Sequence, residues 1–178
     1  RLYAHQLRAL RIAAAGRHYG VTTGTGSGKS LTYLLPIVDR IFRERHEGPS
    51  VRALVVYPMN ALINSQLKAL HEFKARNWPD CPLTFDLHTG QSRGDRDRRN
   101  AMLSDPPQIV LTNYVMLEYM LIRPTERVML ERMTAELAFL AIDELHVYRG
   151  RQGADVAMLL RRLQQLVRRP GLLVSGTS

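Results

Sequence analysis

The chain has 178 residues, 45% of them hydrophobic, which is enough for one domain with a core. It has no apolar run near the ~20 residues that cross a bilayer, no signal-peptide pattern and a single cysteine, so we expect a cytoplasmic protein with no membrane partner and no internal disulfide. A net charge of +9 attracts polyanions, nucleic acid above all, although the charge of a fragment need not represent a whole protein.

Helix-like and strand-like stretches alternate along the sequence. Helical spacing of apolar residues predicts helices at 2–15, 31–42, 60–73 and 154–168, with Asn60 as a cap of the third. Short apolar or alternating runs predict strands at 19–22, 51–58, 83–88, 108–113, 137–144 and 172–176. Such an alternation is typical of an α/β fold, a mostly parallel sheet with helices on both faces, which binds ligands at the carboxyl ends of its strands.

The segment VTTGTGSGKS follows the first predicted strand and precedes a predicted amphipathic helix. Alternating glycines leave room for backbone N–H groups to surround a polyphosphate, and the following helix adds its positive N-terminus. A flexible Gly/Ser linker is the alternative, but a linker would not explain the flanking strand and helix. Thr23 stands where the strict phosphate-loop pattern has glycine. The residues expected to bind ATP here are Thr23, Gly24, Thr25, Gly26, Ser27, Gly28, Lys29 and Ser30.

A second motif, DELH, begins at the carboxyl end of the predicted strand at 137–144, which delivers Asp143 and Glu144. A bound triphosphate needs a carboxylate that holds Mg²⁺ and a group that orients the attacking water. We expect Asp143 to hold Mg²⁺ together with the Ser30 hydroxyl, Glu144 to polarise the water, and Lys29 to complete the catalytic set. Adjacent acids also occur on solvated turns, so the prediction depends on their combination with the glycine-rich loop.

These motifs resemble those of superfamily 2 helicases of the DEAH type, over essentially the whole chain. TGTGSGKS resembles motif I, DELH resembles motif II, and YAHQ resembles the Q motif, which implies that Gln6 recognises adenine. The final GTS resembles the start of motif III, which implies roles for His146, Thr177 and Ser178 in coupling hydrolysis to movement. The resemblance implies that residues 1–178 are the first RecA-like P-loop domain, cut within motif III, of a protein whose second RecA-like domain supplies an arginine finger.

Three further stretches resemble the family's strand-contacting motifs. YPMNALINSQ is similar to motif Ia, and HTG and LTN are similar to later motifs. The implied nucleic-acid contacts are Pro58, Asn60, His88, Thr89, Gly90, Thr112 and Asn113. The run DELHVYRGRQGADVAMLLRRL resembles more narrowly the large bacterial helicases that include MrfA-type repair enzymes and the DISARM anti-phage helicase. This narrower resemblance implies that protein partners in a repair or defence complex are possible.

The function that follows is an ATP- and Mg²⁺-dependent helicase motor on nucleic acid, with DNA favoured, of which this fragment alone would be nearly inactive. Two alternatives remain open: a double-stranded DNA translocase that does not unwind, and a nucleotide-binding scaffold in a repair or defence complex. The four intact residues Lys29, Ser30, Asp143 and Glu144 count against the scaffold. A small-molecule kinase would not need the strand-contacting motifs.

Overall fold

The computed structural model describes residues 2–24, 26–44, 48–77, 79–90 and 95–178. The strands in these ranges are β1 (Tyr19–Val21), β2 (Ala53–Tyr57), β3 (Phe85–His88), β4 (Ile109–Asn113), β5 (Phe139–Ile142) and β6 (Leu173–Thr177). The helices are α1 (Ala4–Ala14), α2 (Leu31–Glu44), α3 (Asn60–Asn77), α4 (Asp95–Ser104), α5 (Tyr114–Ile122), α6 (Pro124–Ala135) and α7 (Gly150–Leu166). A 3₁₀ turn at Leu145–Val147 follows β5. No helix in these ranges is long and apolar enough to cross a membrane.

The described strands form one sheet in the order β1-β6-β5-β2-β4-β3, and every neighbouring pair is parallel. The predicted α/β fold is confirmed. Because successive side chains of a strand point to opposite faces, the central strand β2 contributes to two cores. Val55 packs in one core with α2 and α3, whereas Leu54 and Val56 pack in the other with α5, α6 and α7.

The sequence-based helices agree with the structure best where their apolar residues are periodic. α1, α2 and α3 lie within a few residues of the predicted ranges, whereas α7 begins four residues before the predicted start at 154. The predicted cap at Asn60 is wrong. Asn60 lies inside the first turn of α3, and its side-chain oxygen accepts a hydrogen bond from Asn113 rather than from its own helix.

The carboxyl ends of the parallel strands meet at one edge of the sheet, where both predicted motifs lie. β6 stands between β1 and β5. Its end therefore lies beside the phosphate-loop segment: Ser178 donates its N–H to Val21, and the N–H of Thr23 donates to the carbonyl of Ser178. On the other side of β6, Asp143 and Glu144 follow β5 directly.

Candidate nucleotide-binding site

The glycine-rich loop connects β1 to α2 and is fixed by contacts from α1. Gly26 and Gly28 have φ of 76° and 72°, the left-handed region in which glycine is favoured. The hydroxyls of Thr23 and Ser27 are 2.6 Å apart, and Nε2 of His5 lies 3.1 Å from the Ser27 carbonyl oxygen. The predicted loop residue Thr25 lies outside the described residues.

Gln6 holds the loop from the side of α1. Its side chain is only 2% exposed; Nε2 donates to the Gly28 carbonyl at 3.0 Å, and Oε1 accepts from the Tyr3 N–H at 3.0 Å. An amide has two donor hydrogens and two acceptor lone pairs, and these two contacts use one of each. Recognition of adenine by Gln6 stays a prediction, while its contact with the loop is part of the structure.

Lys29 and Glu144 approach each other across the carboxyl edge of the sheet. Nζ of Lys29 is 4.0 Å from Oε2 of Glu144, and the same oxygen is 3.1 Å from Nδ1 of His146. Glu144 has a left-handed backbone (φ 52°), a conformation that costs a non-glycine residue about 1–3 kcal/mol and often marks functional sites. The loop and the acidic motif, 114 positions apart in sequence, therefore share one site.

Asp143 is buried and fully oriented by the chain. Its Oδ1 accepts hydrogen bonds from the Thr177 hydroxyl and from the Glu144 N–H, the latter at 3.0 Å. Its Oδ2 accepts from the Tyr33 hydroxyl at 3.1 Å. Burial raises the pKa of Tyr33 well above its usual value, and Tyr57 and Asp143 raise it further. Tyr33 is therefore protonated at neutral pH and remains a hydrogen-bond donor.

A cavity of about 400 Å³ opens between the loop and the acids, lined among others by Gly26, Lys29, Ser30, Tyr57, Asp143 and Glu144. Its lining combines glycines, one cation, the hydroxyl residues Ser30 and Tyr57, and two carboxylates, a set of groups that fits a triphosphate with Mg²⁺. Among the described residues no three His, Cys, Asp or Glu side chains are grouped to hold a metal. Mg²⁺ suits such a place, because it binds through few protein ligands and keeps phosphate oxygens and water.

Two residues of this site, Tyr33 and Tyr57, were missed by the sequence reasoning. Both are essentially fully buried, and their hydroxyls are 3.0 Å apart. In the sequence, a tyrosine within an apolar helix or strand indicates a hydrophobic core residue and not a site residue. The available signal is the spacing of Tyr33, which stands three residues after Ser30 and thus on the same side of α2.

The residues expected to contact nucleic acid lie at or just beyond the carboxyl ends of β2, β3 and β4, at the same edge of the sheet. Nδ2 of Asn113 donates to Oδ1 of Asn60 at 2.5 Å, and the Thr112 hydroxyl donates to the His88 carbonyl at 2.6 Å. The side chains of His88 and Thr112 are 2% and 0% exposed, so they can support this surface but do not form it. Pro58, Thr89 and Gly90 reach the surface beside them. The nucleic-acid role of all seven residues stays a prediction.

The three residues expected to couple hydrolysis to movement contact three different groups. Thr177 bonds to Asp143, and Ser178 pairs with the backbone of Val21 and Thr23 at the start of the phosphate loop. His146 instead contacts Glu144, and its carbonyl accepts from Nε of Arg149 at 2.8 Å. Each of the three lies next to a site residue, and their coupling role stays a prediction.

A family model described as DEAD/DEAH box helicase matches residues 3–178. The chain belongs to this family. An uncharacterised ATP-dependent helicase of Methanocaldococcus jannaschii is 32% identical over 174 residues, which cover 95% of this chain and 24% of the relative. The sequence-based resemblance to DEAD/DEAH helicases is confirmed.

Solved structures agree with this family. MrfA, a DUF1998 helicase bound to DNA and AMPPNP, is 28% identical with a TM-score of 0.83, over 99% of this chain and 24% of MrfA. The DEAD-box helicase Mss116, bound to ssRNA and UDP-BeF, is 16% identical with a TM-score of 0.83, over 99% of this chain and 35% of Mss116, and shares the RecA-like fold. The chain spans only 15–24% of the length of the first three curated relatives.

Proposed function

We propose that this domain is the ATP-binding half of a nucleic-acid motor that hydrolyses ATP to translocate along and unwind DNA. The observation that carries the proposal is the 4.0 Å approach of Lys29 Nζ to Glu144 Oε2 at the edge of one cavity. Phosphoryl transfer needs a cation that contacts phosphate oxygens and a carboxylate that orients the attacking water, and these two side chains lie beside the same cavity.

Each group at the site has a distinct task in this proposal. Backbone N–H groups of the loop and the ammonium of Lys29 would hold the phosphates, and Glu144 would orient the attacking water. Ser30 and Asp143 would hold Mg²⁺, which supplies neutralisation of phosphate charge when bound. A second RecA-like domain would close over the nucleotide and add an arginine, because phosphoryl transfer depends on positioned positive charge.

DNA is the proposed track, and the edge formed by Asn60, Thr89 and Gly90 is its proposed contact surface. The surface lies on β2, β3 and β4, next to the nucleotide site on β1, β5 and β6. The chain carries a net charge of +9, which favours polyanions. The DNA-bound MrfA structure, at 28% identity, supports DNA over RNA.

The first experiment measures nucleic-acid-stimulated ATPase of the full-length protein. We expect Lys29→Ala and Glu144→Gln to reduce turnover at least 100-fold, because each removes a group that acts on the reacting phosphate or water. Lys68→Ala and Glu131→Gln, exposed positions on α3 and α6, are the matched controls and should retain turnover. Normal turnover in Lys29→Ala or Glu144→Gln would contradict the proposal.

The second experiment defines the track and the outcome of hydrolysis. ATPase is compared with single-stranded DNA, duplex DNA and RNA, and strand displacement is measured on a forked duplex. We expect DNA to stimulate ATPase, the fork to be unwound, and binding to weaken steeply with salt. ATPase without strand displacement would instead favour the double-stranded DNA translocase, and ATP binding without phosphate release would favour a scaffold.

A further inference from the structure

We propose that Tyr33 is a positioning residue for Mg²⁺–nucleotide binding: its hydroxyl sets the orientation of the Asp143 carboxylate and ties it to the helix that follows the phosphate loop. This inference rests on the proposed function, because it assumes that Asp143 holds the metal. It adds a residue that belongs to none of the sequence motifs described above.

The direction of the hydrogen bonds follows from the groups themselves. Tyr33 is 0% exposed, and its hydroxyl lies 3.1 Å from Asp143 Oδ2 and 3.0 Å from the Tyr57 hydroxyl. An ionised carboxylate can only accept, so the single hydrogen of Tyr33 goes to Asp143. Tyr57 must then donate its own hydrogen to the oxygen of Tyr33. The two tyrosines form a directed chain that ends on the carboxylate.

Oδ2 of Asp143 is the carboxylate oxygen that can still accept a cation or its bound water. A carboxylate offers about four lone-pair sites, two on each oxygen. Thr177 and the Glu144 N–H occupy Oδ1, whereas Tyr33 is the one donor on Oδ2 among the described residues. The remaining acceptor site is therefore on the oxygen that Tyr33 holds. A cation or its bound water would meet Asp143 at this oxygen, in a direction that Tyr33 determines.

The position of Tyr33 on α2 connects the two halves of the site. Ser30 precedes Tyr33 by three residues, about one helical turn, and its carbonyl oxygen accepts the Tyr33 N–H at 3.4 Å. Tyr33 thus bonds through its hydroxyl to Asp143, one proposed Mg²⁺ ligand, and through its N–H to the residue that bears the other. Outer residues that orient metal ligands commonly change metal affinity 10–100-fold when they are removed.

The hydroxyl can be tested separately from the ring. Phenylalanine at position 33 would fill the same space in the core formed by α2, α3 and the sheet, and would remove only the hydrogen bonds. Tyr19→Phe is the matched control, because its hydroxyl bonds to the Thr32 carbonyl of the same helix at 2.6 Å and does not line the nucleotide cavity.

The experiment titrates Mg²⁺ against binding of a fluorescent ADP to the full-length protein, with Mn²⁺ binding to the ADP complex measured by electron paramagnetic resonance. We expect the apparent metal Kd to be at least tenfold higher in Tyr33→Phe and to change less than threefold in Tyr19→Phe. Binding of ADP in excess EDTA should be the same in both variants. If the Tyr33 hydroxyl only stabilised the fold, its removal would weaken ADP binding with Mg²⁺ and ADP binding in excess EDTA to the same extent.

Unchanged metal dependence in Tyr33→Phe, or an equal loss in Tyr19→Phe, would overturn the inference. If Tyr33→Phe does not fold, the double variant Tyr33→Phe with Tyr57→Phe is measured, since it leaves no tyrosine hydroxyl unpaired, and the same tenfold effect is expected. A wild-type protein without Mg²⁺-dependent nucleotide binding would contradict the proposed function itself, which distinguishes the two failures.

Discussion

Asn113 joins two helices to the end of one strand. Its Nδ2 donates to Oδ1 of Asn60 in the first turn of α3, and its Oδ1 accepts the Met116 N–H at 2.7 Å as the N-cap of α5. One amide therefore fixes the start of two helices at the surface proposed to face nucleic acid. The donor and the acceptor of this amide can be removed separately.

We expect Asn113→Ala to destabilise the protein by about 1 kcal/mol, because α5 loses its cap. Asn113→Asp keeps an acceptor for the Met116 N–H, and rotation of the Asn60 amide can turn its N–H group towards the new carboxylate, so stability in urea unfolding should be retained. DNA binding should still weaken, since the added charge repels phosphates. Fluorescence anisotropy with a labelled oligonucleotide measures the second effect. Unchanged affinity in Asn113→Asp would remove this residue from the DNA contact.

Gln6→Glu should weaken nucleotide binding about tenfold or more. The change keeps an acceptor for Tyr3 but places a carboxylate oxygen where Nε2 now donates to the Gly28 carbonyl at 3.0 Å. Two facing acceptors at a buried position cost well over 1 kcal/mol, and 1.4 kcal/mol corresponds to tenfold in affinity. ADP affinity is the measurement, with Gln152→Glu, whose amide bonds to Tyr114, as the control. Equal ADP affinity in Gln6→Glu and in the wild type would show that Gln6 does not hold the phosphate loop in the conformation that binds nucleotide.

Gly28→Ala should destabilise the domain more than Gly16→Ala. Both glycines have positive φ, 72° and 69°, so each substitution carries a backbone penalty of about 1–2 kcal/mol. An added Cβ at position 28 would lie 2.7 Å from Nε2 of Gln6, whereas one at position 16 would meet no atom of the described residues within 4 Å. The difference between the two variants in urea unfolding measures the cost of the contact with Gln6, because the backbone penalty is common to both. A similar loss of stability in both would show that the loop moves aside without cost.

Tyr148→Phe should stabilise the protein by about 1 kcal/mol at neutral pH. Its hydroxyl is buried without a hydrogen-bond partner in the described part of the chain, and such groups cost about 1–3 kcal/mol. Its ring should keep the edge-on contact with Tyr114.

The same variant should resist alkaline unfolding better. Burial raises the pKa of Tyr148 above the value of about 10 that it has in the unfolded chain. The neutral form is therefore favoured in the folded state, and stability is full below pH 10 and falls as the pH rises towards the folded-state pKa. Urea unfolding at pH 8 and pH 10.5 should show a smaller decrease for Tyr148→Phe than for wild type. An equal decrease would indicate that the hydroxyl ionises freely in the folded protein.

The phosphate loop and the strands could be predicted because each leaves a strong local trace. A backbone that must wrap a polyanion requires glycine, and a strand buried on both faces, such as β2, requires a short continuous apolar run. The acidic pair was located because it directly follows such a run.

Other features depend on partners that are distant in sequence. α5 has apolar residues all round, with Leu117 and Met120 buried but Val115 and Ile122 exposed, so its sequence shows no face and its helix was not predicted. The role of Tyr33 depends on Asp143, 110 positions away, and no local pattern predicts that contact. The placement of β6 between β1 and β5 is likewise a result of packing, not of any single segment.

The position of β6 between β1 and β5 limits how the phosphate loop and the acidic motif can move relative to each other. β6 is bonded along both edges, and its last residues contact Asp143 on one side and the loop segment at Thr23 on the other. A slip of β6 by one residue would turn Thr177 to the opposite face of the sheet. Axial slippage of β6 is therefore disfavoured, because it would break the pairing with both neighbouring strands and move Thr177 away from Asp143.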